Sequence, residues 1–104
     1  MARPRRGEVW QVDLGLAAKS RPAVILGVPH EATHQTYTYV PHTTSPLGTE
    51  FEVKVDLKFL REGVFDAQGI STVPGVRFQR KLGVLTSSQI RQIEDAVLAW
   101  LEIE

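Results

Sequence analysis

Arg21 is joined to Pro22 at the head of the most apolar run in the chain, Ala23-Val24-Ile25-Leu26, directly after a short loop, residues 15–20, that carries no carboxylate. Proline disfavours helix at the residue before it and presets extended backbone, which places Arg21 at a strand entrance where its planar guanidinium can grip a phosphate. A solvated arginine ahead of a core strand fits the same residues. In Val40-Pro41-His42-Thr43-Thr44-Ser45 an imidazole and several hydroxyls stand at a strand end, as proton transfer and oxyanion contact would require. An ordinary turn, its Thr and Ser side chains bonding to nearby backbone, is the alternative. A second basic cluster, Arg77, Arg80 and Lys81 with Phe78 between them, can stack a base and hold a nucleic-acid backbone, or it is a solvated turn.

Other chemistries find little support. His30 and His34 are spaced for a metal only if they share a helix face, whereas their segment reads as loop with no further ligand nearby, so neither metal nor cofactor is expected. Neither GxGxxG nor GxxxxGK[ST] occurs, and no Ser-His-Asp order or nucleophile elbow supports acyl transfer. The chain has no cysteine, which rules out disulfides and thiol nucleophiles and fits a reducing compartment. No run approaches a membrane span, and the basic start Arg3, Arg5, Arg6 is followed by Glu8, Trp10 and Asp13, so a soluble cytoplasmic protein without membrane contact is expected.

Twelve basic and twelve acidic residues balance, unlike the charge of a sequence-blind nucleic-acid binder. The charges are not evenly spread, however. Up to Leu26, Arg3, Arg5, Arg6, Lys19 and Arg21 outnumber Glu8 and Asp13, while from Ile90 onward Arg91 faces Glu94, Asp95, Glu102 and Glu104. A local anion site on a neutral protein is compatible with that asymmetry.

The elements that must position these residues follow from periodicity. At 104 residues the chain makes one domain, spanning 1–104, with enough length for one core. Residues 8–14 alternate Trp10, Val12 and Leu14 against Val9, Gln11 and Asp13, the pattern of a half-buried strand. Residues 23–28 read as a strand buried on both faces, and residues 37–40 as a third strand. Residues 41–48 read as an exposed loop, and Phe51, Val53 and Val55 alternate with charged residues in a strand wet on one side. Residues 57–65 suggest a turn of helix closed by Gly63, residues 69–73 a short strand, and residues 82–85 a last one. Thr86 with Gln89 is a capping-box signature, and Ile90, Ile93, Val97, Trp100 and Leu101 form one helical stripe. The expected fold is mainly β, a small, strongly bent antiparallel barrel against which a C-terminal helix packs.

Arg6-Gly7-Glu8-Val9-Trp10, Asp13, Arg21-Pro22-Ala23-Val24-Ile25-Leu26, Val40-Pro41-His42-Thr43, Phe51-Glu52-Val53, Gln68, Thr72 and Lys81-Leu82-Gly83-Val84-Leu85 together resemble the MazF/PemK-type toxin family. The likeness runs in order over nearly the whole chain. It implies an SH3-like barrel, a homodimer, and a toxin that cuts single-stranded RNA at short sequences without a metal and is held inactive by a MazE-like antitoxin. The family's catalytic arginine and threonine map onto Arg21 and Thr43, with Thr44 the fallback if the loop is offset by one. Arg21 and Thr43 would hold the phosphoryl oxygens as a 2′-hydroxyl attacks the neighbouring phosphorus.

His42 is a candidate proton carrier, although strand alternation turns it away from Thr43. Gln68 belongs to the matched set as a further catalytic or substrate-binding candidate. Trp10, Tyr39 and Phe78 are the aromatic platforms for splayed bases, and Arg77, Arg80 and Lys81 the backbone contacts. Many family members carry a longer loop before the Arg-Pro pair; here residues 15–20 are all there is, and Lys19 stands in as a phosphate contact. Two other functions compete. A gyrase-poisoning CcdB-like toxin would depend on a Trp-Gly-Ile tail, whereas this chain ends Trp100-Leu101-Glu102-Ile103-Glu104; a non-catalytic RNA- or protein-binding module would use the barrel face without chemistry.

Overall fold

A computed structural model describes residues 3–15, 19–30 and 35–103. Residues 16–18 of the loop before Arg21, and His34 of the histidine pair, lie outside the described residues. The elements follow in the order β1 (Glu8–Asp13), β2 (Ser20–Gly27), β3 (Thr36–Thr43), β4 (Glu52–Val53), β5 (Val64–Asp66), β6 (Ser71–Pro74), β7 (Phe78–Val84) and α1 (Ser87–Trp100), with single 3-10 turns at Ala67–Gly69 and Gly75–Arg77.

The seven strands form one antiparallel sheet in the order β4-β5-β3-β2-β1-β7, with β6 also paired to β3. Register shifts in the β1–β7 pairing, between Val9 and Trp10 and between Gln11 and Val12, and in β2–β3 between Ile25 and Gly27, put extra twist where the sheet must bend. The end strands β4 and β7 do not pair with each other, so the bent sheet is not closed.

Bending buries both faces of the central strands. On one face Val9, Val24, Val40, Phe65 and Ala67 pack with Leu85 and with Ile93 and Val97 of α1. On the other, Trp10, Val12, Ala23, Ile25, Tyr37, Tyr39 and Val73 make a second cluster. The alternation expected of β1 therefore holds, but the strand is not half-buried: Val9 is as deeply covered as Val12. The strand expected to be buried on both faces, β2, is so at Ala23, Val24 and Ile25.

Helix α1 starts where its capping box requires. The Thr86 hydroxyl accepts the Gln89 N–H at 3.1 Å while the Gln89 side chain accepts the Thr86 N–H at 2.8 Å, which satisfies two donors that the first turn leaves open. Its stripe is buried only in part, since Ile93 and Val97 are covered while Trp100 and Leu101 stay exposed.

Three expectations need correction. Residues 41–43 are strand, not loop. Along the outer edge of β3, pairing with β6 reaches as far as Tyr39, opposite Ser71, and pairing with β5 starts at His42, opposite Phe65; Pro41 falls in the gap between them, where a missing N–H costs no ladder bond on that edge. Residues 57–65 hold a single turn, the Leu60 N–H on the Leu57 carbonyl at 3.4 Å, rather than a helical turn closed by Gly63, and the excursion ends in β5. The last strand begins at Phe78 rather than Leu82, because residues 78–84 pair along nearly all of β1, while β4 is only two residues long.

Candidate functional site

The β2–β3 pairing sets Ala23 opposite Pro41, Val24 opposite Val40 and Ile25 opposite Tyr39. Continuing that register by two residues brings Arg21 opposite Thr43, on the face that also carries Tyr39 and Pro41. Arg21 and Thr43 share a cavity of about 400 Å3, walled also by Leu14, Tyr39, Pro41, Leu47, Glu52, Asp66 and Gly69. Arg21 is exposed at the strand mouth, and Thr43 is half-buried. The β1–β2 turn beside them is tied by the Leu14 N–H to the Lys19 carbonyl and the Lys19 N–H to the Gly15 carbonyl, both 2.8 Å, with Lys19 and Gly15 in left-handed backbone.

The hydroxyl of Thr43 is oriented. Its Oγ1 accepts the Ser45 N–H at 3.1 Å, which leaves the hydroxyl proton to donate into the cavity. The loop that follows is wrapped on a carboxylate: Glu52 accepts the N–H groups of Leu47 at 2.8 Å, Gly48 at 2.7 Å and Thr49 at 3.1 Å. The Leu47 N–H foremost, then those of Gly48 and Thr49, hold the Glu52 carboxyl below its usual range against the opposing effect of desolvation. The second carboxylate of the cavity, Asp66, caps the 3-10 turn by accepting the Gln68 N–H at 3.1 Å. Gln68 thus sits between two wall residues, Asp66 and Gly69, without lining the cavity itself.

His42, one residue before Thr43, belongs to the opposite face. It is only 3% exposed and meets Phe65 edge-on with ring centroids 4.9 Å apart. Burial pushes its imidazole below the ordinary 6.5, so it is neutral near pH 7. A second cavity, about 380 Å3, opens over this face between Gln11, Pro22, His42, Thr44, Phe59, Arg61 and Arg80. Arg21 reaches both cavities. A larger depression of about 520 Å3 along residues 55–63 contains neither Arg21 nor Thr43.

Several expected contacts are engaged in the fold instead. Trp10 is 6% exposed, tilted on Phe78 at 5.8 Å, and donates its Nε1–H to Glu8 at 2.9 Å, so stacking an RNA base on it would open the core. Phe78 is also held edge-on by Tyr37 at 4.9 Å. Lys81 lies 2.9 Å from Glu8, whose carboxylate also accepts the Arg5 N–H at 2.8 Å. Burial alone would raise the Glu8 carboxyl, but the hydrogen bonds from Trp10, Lys81 and Arg5 and the Lys81 charge outweigh it and hold the group below its ordinary 4.5. Lys81 therefore neutralises a nearly buried carboxylate rather than waiting for a phosphate. Arg77 faces Asp13 at 3.7 Å. Neither Arg77 nor Lys19 lines the Arg21 cavities, and Thr44 lines the His42 side, not the Thr43 side. Tyr39 and Arg80 do line cavities, on opposite faces.

Glu52, Asp66 and Arg61 escaped the reading of residues. The alternation around Phe51 and Val53 put Glu52 simply in water, and the only local sign of its role is the Gly48 loop just before it. Asp66 is signalled weakly, by an Asp two residues ahead of Gln68 at a turn.

A bent antiparallel sheet with one closing helix, an arginine at the mouth of its second strand and an oriented threonine across from it, defines a small, mainly β domain with one arginine–threonine cavity. Residues 5–101 match the family model described as PemK-like, MazF-like toxin of type II toxin-antitoxin system, and the chain belongs to that family. The fold is similar to that of a MazE–MazF complex from Deinococcus radiodurans, at 18% identity with a TM-score of 0.82 and full coverage of both chains. An endoribonuclease in complex with its cognate antitoxin from a mycobacterial species matches at 24% identity and a TM-score of 0.81, covering 97% of each chain. The Mycobacterium tuberculosis toxin MazF-mt6 matches at 24% identity and a TM-score of 0.77, over 93% of this chain and 98% of its own.

Proposed function

We propose that this toxin is a sequence-specific, metal-independent endoribonuclease that cuts single-stranded RNA. The observation that carries the reading is the placement of Arg21 and Thr43 on one face of neighbouring strands, in one cavity. In the reaction O2′ of one nucleotide bonds to the adjacent phosphorus and the P–O5′ bond breaks, leaving a 2′,3′-cyclic phosphate and a 5′-hydroxyl. Arg21 binds the phosphoryl oxygens that gain charge, and Thr43, its oxygen already bonded to the Ser45 N–H, donates its proton to one of them. An arginine stays protonated near neutrality, so its part is electrostatic. His42 is buried on the other face, which leaves Asp66 in the cavity wall to take the 2′-hydroxyl proton, while the departing O5′ takes its proton from solvent water. Glu52 is the poorer base, because three N–H groups already stabilise its charge.

A relative described as an endoribonuclease with its cognate antitoxin supports both the activity and a MazE-like partner for this chain. The exposed Leu98 and Trp100 of α1, with Leu101 at its C-cap, support a homodimer. Among the described residues no helix is long and apolar enough to cross a membrane, in keeping with action on RNA in the cytoplasm.

Purified protein incubated with a long RNA, with and without chelator, tests the reading. Discrete new 5′-hydroxyl ends that survive the chelator are expected. An RNA that stays intact yet shifts on a gel would mark a binding module without catalysis.

A further inference from the structure

Arg61 and Arg80 both line the cavity on the His42 face, and no carboxylate lines it. Among the described residues neither arginine forms an ion pair. Arg80 is placed by the β1–β7 pairing opposite Gln11, which shares its face. Arg61 comes from the excursion of residues 57–63, and that excursion is pinned on either side of it. At Gly83 an added Cβ would lie 2.4 Å from the Phe59 ring, so the ring rests directly on the backbone of β7. At Gly63 a Cβ would lie 2.2 Å from the Thr43 carbonyl oxygen and 2.8 Å from the His42 imidazole, so this backbone rests on the end of β3.

Two close backbone approaches thus hold an arginine at the rim of a cavity that also contains the Thr44 side of the β3 end and part of Arg21. Two exposed guanidinium groups on one cavity, with no carboxylate in its lining, suit a phosphodiester anion. On the ribonuclease reading, which this inference extends, the phosphate being cut lies on the Thr43 side of Arg21. We infer that the cavity between Arg61 and Arg80 is a second phosphate subsite, which grips the RNA linkage next to the one cut and fixes the register of the strand over Arg21. The neutral His42 and the Thr44 hydroxyl floor and edge this subsite without adding negative charge.

The probe is a short RNA containing a mapped cut site, in which the phosphate on one side or the other of the cut is replaced by a neutral methylphosphonate. One of the two replacements is expected to raise KM roughly tenfold for the wild type, as loss of a charge-assisted contact does. The Arg61→Ala/Arg80→Ala variant should show the same KM rise on unmodified RNA, with a smaller change in kcat, and no further penalty from that methylphosphonate. Its log–log salt dependence of binding should flatten by about 0.7 for the lost contact. Arg91→Ala, which removes a charge from α1, is the matched control and should change neither.

A wild-type KM and salt slope in the double variant would overturn the subsite, as would a methylphosphonate penalty that persists in it. RNA cut normally with those outcomes leaves the ribonuclease reading standing. RNA that is bound but never cut, with a slope that the double variant still flattens, would do the reverse. Failure of the wild type to bind single-stranded RNA would overturn both.

Discussion

Two cavities flank Arg21, and they differ in charge as sharply as in position. On the Thr43 side the walls carry Glu52 and Asp66, and the loop after the strand is gathered by three N–H groups onto one carboxylate. On the His42 side the walls carry Arg61 and Arg80 and no carboxylate at all. The boundary between them is a single step along β3, since successive residues of a strand point to opposite faces. Proton transfer needs an accessible group that can accept a proton: the Thr43 side offers the Asp66 carboxylate, whereas the imidazole on the other side is 3% exposed. Gripping an undisturbed phosphodiester needs fixed positive charge, which the His42 side offers. Arg21 lines both cavities, and on the proposed ribonuclease reading it couples the two tasks.

The largest effect expected is from Arg21→Ala, which removes the shared group. Cleavage should fall at least 10²–10³-fold in kcat, as for loss of one preorganised donor to a developing oxyanion, while the circular-dichroism spectrum stays that of the wild type because Arg21 is exposed. Thr43→Val and Thr44→Val separate the faces. The first should lower kcat by roughly 10²-fold and the second only slightly, read in single-turnover assays. Equal losses at the two positions would erase the distinction drawn here.

Gly63→Ala strikes the seam between the cavities. A methyl group 2.2 Å from the Thr43 carbonyl must push β5 off β3, and a loss of about 1–3 kcal/mol is expected in urea unfolding, with cleavage impaired as well.

A smaller effect comes from pH. The folded-state pKa of His42 lies below its unfolded value, so the stabilisation is fully present above 6.5 and is lost as pH falls through that value toward the depressed one. The urea midpoint of the wild type should drop between pH 7.5 and 5.5 more than that of His42→Leu. The Glu8 carboxyl behaves likewise at lower pH: its contribution is present above 4.5 and lost as pH falls through its depressed value, and Glu8→Gln should flatten that part of the profile.

Much of the fold is legible in the residues because local signals and burial agree there. The apolar run after Pro22 is β2, and the Thr86–Gln89 box starts α1. The end of β3 is not legible, because Pro41 ordinarily argues against strand and its tolerance depends on a gap between β5 and β6 that only the folded sheet creates. For the same reason Trp10 and Lys81 read as exposed contacts: their partner Glu8 meets Lys81 only through the β1–β7 pairing. The Arg21–Thr43 pairing follows in the sequence only from the resemblance, and the register of β2 on β3 supplies its physical cause. The two carboxylates of the cavity come from separate elements, β4 and β5, whose approach to Arg21 no spacing along the chain announces.

On the proposed mechanism, Arg21 and Thr43 hold a phosphate while its own neighbouring 2′-hydroxyl attacks it. A short RNA with a single 2′-deoxy substitution at the mapped cut nucleotide tests this most directly. The substituted RNA is expected to bind with unchanged affinity and to stay uncut at that linkage. Cleavage there at the rate of the unmodified RNA would contradict it.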